Sequence, residues 1–187
     1  MRQIRPAVAV SLSVLAFAAC AVCMVAVNRA HAQTSKNGTL TVSLKTATGE
    51  NAGTAAFKED KAGKELTITL KLKDLPPGAH AVHIHQNPMC DAPDFKGAGG
   101  HFNPDGKQHG TMNPMGHHNG DLPRNVMIGA DHTGQASFKV DYLTLAAGAP
   151  NSVLGHSIMV HEKEDDMKTD PTGNAGNRIA CAVIPAQ

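Results

Sequence analysis

Apolar residues recur at every second position in two early stretches, Leu40, Val42 and Leu44, then Leu66, Ile68, Leu70 and Leu72. Thr41 and Ser43, then Thr67, Thr69 and Lys71, fill the places between them. A period of two puts each set on its own face of an extended chain, a pattern that a helix cannot use. Strand patterns return at 126–128, 136–142, 157–161 and 179–184, and 80–86 reads as one more strand. Turn-forming residues at 49–53, at 60–63 and at Pro76-Pro77-Gly78 separate the early runs. No stretch of useful length has the helical period, and no repeat is visible. The expectation is an all-β domain, a Greek-key antiparallel β-barrel or sandwich of about eight strands.

Two long polar connections interrupt this pattern. Residues 87–125 have no apolar periodicity and are rich in Gly, Pro, Asn, Asp and His; residues 162–177 form a second loop. A connection as long as the first needs something to order it, or else it is disordered. It holds Cys90 and four histidines, so a disulfide and a metal are the two ordering devices at hand.

The first 32 residues have the features of an export leader. Arg2 and Arg5 precede an apolar run over 7–27, and Ala30-His31-Ala32 offers a cleavage pattern, so we expect a signal peptide at 1–32 and a domain at 33–187. An uncleaved or lipidated leader would instead tether the domain to a membrane. Either way the domain lies outside the cytoplasm, periplasmic or secreted. Cys20 and Cys23 fall within the leader, which leaves Cys90 and Cys181, an even pair that reads as one disulfide in an oxidising compartment. A bridge over so long a loop stabilises by an amount on the order of 4 kcal/mol. Without Arg2, Arg5 and Arg29 the domain carries 14 basic against 16 acidic residues, and with no Trp and one Tyr it offers no nucleic-acid surface.

Ten of the eleven histidines lie beyond the leader. His83 and His85 share one face of a strand while Val82 and Ile84 take the other, so two imidazoles can meet one ion. The following loop adds His101, His109, His117, His118 and Asp121, and His161 ends a later strand. Imidazoles with one carboxylate suit tetrahedral zinc, and a cluster of imidazoles alone suits copper. His80, His132 and His156 read as structural or exposed, and Met112 and Met115 as loop residues without a metal partner. A zinc hydrolase is disfavoured because no His-Glu-x-x-His stands in the chain.

Five segments resemble the copper/zinc superoxide dismutase family, in its order and over residues 80–184. They are Val82-His83-Ile84-His85, Gly100-His101-Phe102-Asn103-Pro104, His118-Asn119-Gly120-Asp121-Leu122, Val160-His161-Glu162-Lys163, and the run from Gly173 to Arg178-Ile179-Ala180-Cys181. The resemblance implies dismutation of superoxide to oxygen and hydrogen peroxide by a redox-cycling copper ion, joined through a histidine to a structural zinc ion. By position, His83, His85, His101 and His161 would hold copper, and His101, His109, His118 and Asp121 zinc. His101 would bridge the two and handle a proton, and Arg178 would attract the substrate anion. Asp165 would link a copper histidine to a zinc histidine, and Cys90 and Cys181 would form the family's disulfide.

The chain also departs from the family. The second loop is short around 167–172, with Pro171 where a basic residue could stand, so Lys163 and Lys168 are the candidates to replace its charge. The 90–101 segment is longer than in many animal relatives and, with the leader, points to the bacterial secreted branch. Subunit contacts differ between branches, so a homodimer is one allowed assembly. A metallochaperone or copper-binding module would be expected to lack a ligand or Arg178, and a purely structural metal domain would need no Arg178; all seven ligand positions and Arg178 are present.

Overall fold

The computed structural model describes residues 33–34 and 38–186; the expected leader at 1–32 lies outside the described residues. Among the described residues ten strands follow one another: β1 (Gln33–Thr34), β2 (Leu40–Thr46), β3 (Asn51–Glu59), β4 (Leu66–Leu72), β5 (Gly78–His80), β6 (Val82–His85), β7 (Val126–Ile128), β8 (Gly134–Val140), β9 (His156–His161) and β10 (Arg178–Ile184). The main sheet runs β6-β9-β10-β2-β3-β4-β8, with β1 on β2, and β5 pairs with β7 in a small second sheet. These pairings are all antiparallel. The neighbours β10–β2 and β4–β8 are crossovers, as the Greek-key expectation requires. β5 and β6 are nearly continuous, and at Ala81 the chain passes from one sheet to the other, which curls the whole into a half-barrel.

The period of two builds the core directly. Leu40, Phe57, Ile68 and Phe138 are successive cross-strand partners, all buried, and so are Val42, Ala55, Leu70 and Ala136. Large rows thus alternate with rows that include alanines, so the side chains fill the interior without collision. Thr41, Ala56, Thr69 and Ser137 form the intervening row on the opposite face.

One strand departs from the expectation. The turn expected at 49–53 closes by Glu50, with Thr46 N–H donating to the Glu50 carbonyl, and β3 begins at Asn51. Its inward residues Ala52 and Ala55 are small and weakly strand-forming, which hides the alternation. Gly53 lies within the strand, paired with Leu44 and Leu72, and only glycine fits there because a Cβ would lie 2.1 Å from the Lys71 carbonyl oxygen, at φ 117. The pairing register shifts between Leu44 and Lys45, as at a β-bulge.

The two long loops are where the sequence places them. Residues 86–125 contain one short 3₁₀ turn, Lys96–Ala98, and fold back along β6, the edge of the main sheet. Ile84 N–H donates to Gly120 O, Phe102 N–H to Ile84 O, and Gly120 N–H to Phe102 O, at 2.8 to 2.9 Å. This docking creates isolated bridges between His83 and Asp121 and between His85 and His101. Strand and loop residues expected to share a metal are therefore backbone neighbours.

Candidate metal centre

The cluster is built from three backbone sources. β6 supplies His83 and His85, the docked loop supplies His101, His109, His118 and Asp121, and the end of β9 supplies His161. All seven are buried. Arg178 is the cross-strand partner of His161, so the β9–β10 pairing brings it to the same place.

On one side, single donor atoms of His83, His85, His101 and His161 all lie within 4.8 Å of one another. His85 Nδ1 donates to the Gly99 carbonyl at 3.0 Å, and His161 Nδ1 faces the Gly176 carbonyl at 3.4 Å. With those protons placed, the two Nε2 atoms meet at 3.2 Å as facing lone pairs. Beside them, His83 Nδ1 and His101 Nε2 are buried without a hydrogen-bond partner. Lone pairs in contact and orphaned nitrogens destabilise a buried site unless a cation stands among them. Burial first, then the neighbouring imidazoles, pushes the pKa of His101 down to about 3 and that of His161 to about 2. The same causes hold His85 well below the usual range. These rings are neutral and ready to bind metal.

On the other side, Asp121 Oδ1 is the hub. It lies 2.9 Å from His101 Nδ1, 2.9 Å from His109 Nδ1 and 3.4 Å from His118 Nδ1, and His118 Nδ1 is 3.4 Å from His101 Nδ1. Ligands about 2.0 to 2.1 Å from a tetrahedral zinc ion are about 3.3 Å apart, so these spacings fit that ion. His83 also has a donor atom within 4.8 Å of His101, His109 and Asp121. Its Nε2 is engaged by Asp165, while its Nδ1 lies on the side of the first group without a hydrogen-bond partner. His101 faces this group through Nδ1 and the first group through Nε2. Burial opposes ionisation of Asp121, yet hydrogen bonds from His101, His109 and His118 hold it far below the usual carboxylate range. Burial also opposes the charge on His109, but Asp121 and Asp165 outweigh it and push the pKa up to about 9.

Asp165 ties the halves together. Its Oδ2 accepts from His83 Nε2 at 2.8 Å and its Oδ1 from His109 Nε2 at 2.9 Å. Such outer hydrogen bonds fix ring orientation and tautomer. Asp170, which no motif marks in the sequence, accepts from the His109 backbone N–H at 2.6 Å.

A cavity of about 360 Å³ opens over the first group, lined by His85, His101, His161, Arg178, Pro171 and Thr172 among others. Arg178 Nη1 donates to Phe95 O at 2.6 Å and Nη2 to Gly99 O at 2.5 Å. The Cys90–Cys181 disulfide is formed, with Cα atoms 5.6 Å apart, and joins this segment to β10. Lys163 and Lys168 are not among the lining residues.

The remaining histidines stay apart. His117 Nδ1 faces the His118 carbonyl at 2.7 Å, with its ring against Tyr142. His80 is buried between the carbonyls of His161 and Pro76, and His132 meets Leu75 O. His156 meets Gln86 O and packs with a tilted ring against Phe102; it opens β9 rather than preceding it. Met112 and Met115 are exposed.

The chain is similar to known proteins. Residues 51–184 match the family model for copper/zinc superoxide dismutase. Copper-zinc superoxide dismutase 1 of Aquifex aeolicus is 44% identical over 142 residues, 73% of this chain and 81% of its own. Copper-zinc superoxide dismutase of Caulobacter vibrioides is 40% identical over 149 residues, 77% of this chain and 84% of its own. The crystal structure of a double mutant of a superoxide-dismutase-like protein from Bacillus subtilis superposes with a TM-score of 0.73 at 39% identity, covering 78% of this chain and 96% of that one. From its strands to its ordered metal loop, the chain belongs to the copper/zinc superoxide dismutase family.

Proposed function

We propose that the protein dismutes superoxide, two anions and two protons giving oxygen and hydrogen peroxide, with copper on His83, His85, His101 and His161 and zinc on His101, His109, His118 and Asp121. The observation that carries this reading is the pair of facing lone pairs, His85 Nε2 and His161 Nε2 at 3.2 Å, beside the orphaned His83 Nδ1 and His101 Nε2. Bound copper supplies one-electron redox chemistry, and zinc, which does not change oxidation state, supplies fixed charge and geometry.

The protein's residues do the rest. Arg178 lines the cavity with a charge that does not titrate at physiological pH, so it draws and docks a small anion. His101 keeps Nδ1 against Asp121 and its buried, unpartnered Nε2 among the first group, and as a residue of the cavity wall it can take up and hand on a proton. Asp165 holds His83 and His109 in register through its two oxygens. Burial keeps water from competing for the donor nitrogens.

The disulfide and the apolar run at 7–27 support an exported protein, with 1–32 as the leader and 33–187 as the enzyme, in the periplasm or outside the cell. The test of the ligand assignment is His161→Gln. The variant is expected to keep one zinc per chain while losing copper and dismutation; full retention of both would overturn the assignment.

A further inference from the structure

Each imidazole of the zinc group has a second nitrogen to account for. His109 Nε2 donates to Asp165, and His101 Nε2 is buried among the first group of imidazoles without a hydrogen-bond partner. His118 Nε2 points at Asp170, with Oδ1 at 3.6 Å, in ion-pair range. The same Asp170 oxygen accepts from the His109 backbone N–H at 2.6 Å. One carboxylate oxygen from the second loop therefore touches two residues of the zinc group, in a loop segment separate from Asp165.

The second loop is wound so as to present this residue. The Asp166 carboxylate accepts from Lys168 N–H, Thr169 N–H, the Thr169 hydroxyl and the Asn174 amide, at 2.6 to 3.0 Å. Thr169 O in turn accepts from Gly173 N–H at 2.7 Å. The loop closes on itself around Asp166, with Asp170 at its tip and Pro171 and Thr172 lining the cavity.

We propose that Asp170 is a positioning residue that clamps His109 and His118 from the solvent side, as Asp165 clamps His83 and His109 from within. It orients the His118 ring so that Nδ1 meets the zinc position, and it anchors the loop that forms one wall of the cavity. The inference rests on the zinc reading of His101, His109, His118 and Asp121. Its side chain is 47% exposed, so substitution leaves the core untouched.

The test uses the zinc-loaded protein and the variants Asp170→Ala and Asp170→Asn. Zinc release to a chromophoric chelator is followed from pH 5 to 8, and the visible spectrum of cobalt(II) in the zinc position is recorded. Outer-shell substitutions of this kind lower metal affinity by about ten- to a hundredfold. Asp170→Ala is expected to release zinc faster by about that factor and to shift the cobalt bands. Asp170→Asn keeps an oxygen for the His109 N–H but loses the charge facing His118, so it is expected to fall between. Zinc held by the wild type and released by Asp170→Ala within twofold of the wild-type rate would overturn the clamp alone. So would an Asn variant no better than Ala. A wild type that holds no zinc would instead overturn the metal reading beneath it.

Discussion

Nε2 of His83 donates to Oδ2 of Asp165 across 2.8 Å, and both side chains are about 1% exposed. Because the other Asp165 oxygen holds His109, this bond joins the two halves of the centre. Asp165→Ala should weaken zinc binding by about ten- to a hundredfold while leaving the strands intact. Gly173→Ala should act in the same direction, since its Cβ would lie 1.9 Å from Asp165 Oδ1 and 2.6 Å from His109 Nε2. Competition against a chelator of known affinity measures both, and unchanged zinc affinity in both would remove the bridge from the account.

Arg178 is held by two carbonyls and stands in the cavity wall. Arg178→Gln should lower kcat/KM for superoxide by about tenfold or more at low salt, and the loss should shrink as salt rises. Arg178→Lys should restore the charge but not the two-carbonyl fork, and so recover only part of the rate. Stopped-flow measurement over a range of ionic strength decides; a salt-independent loss would argue against anion capture.

The metal-free protein should lose stability in acid. In the unfolded chain His101 and His161 titrate near 6.5, whereas in the fold burial lowers them to about 3 and about 2. Above pH 6.5 both states are neutral; below it the unfolded chain takes up protons that the fold refuses, and the loss grows until the folded values are reached. Asp121 and Asp165, held low mainly by imidazole hydrogen bonds against the effect of burial, add to the loss below about pH 3.9. His109 has the opposite sign: its contribution is complete below 6.5 and fades as pH rises through about 9. Denaturant unfolding should show more than about 2 kcal/mol lost between pH 7 and 4.5, and a flat profile would contradict the buried neutral imidazoles.

The disulfide spans 91 residues and anchors the segment whose carbonyls hold Arg178. By chain entropy, removing it through Cys90→Ser with Cys181→Ser should destabilise the metal-free fold by about 4 to 5 kcal/mol. Unfolding midpoints with the associated slopes measure this, and a loss below about 1 kcal/mol would mean that the unfolded chain is already constrained in that region.

Most of the architecture was legible because large apolar residues alternate without interruption. Leu66 to Leu72 could only be a half-buried strand. β3 was not legible, because Ala52 and Ala55 carry little hydrophobic signal and Gly53 looks like a turn until the close approach of Lys71 O is seen. The candidate ligands stood out because imidazoles at motif spacing are rare, and the docking of 86–125 on β6 brings these residues together. Asp170 did not, because its role depends on how the second loop winds around Asp166, a set of short-range hydrogen bonds with no signature in composition or period.

The most direct measurement is the superoxide dismutation rate of the purified protein, first stripped of metal, then loaded with zinc alone, then with copper and zinc. The account predicts no catalytic rate without copper and a fast rate with both metals that cyanide suppresses. Stoichiometric uptake of both metals without such a rate would contradict it, leaving a copper- and zinc-binding module in place of an enzyme.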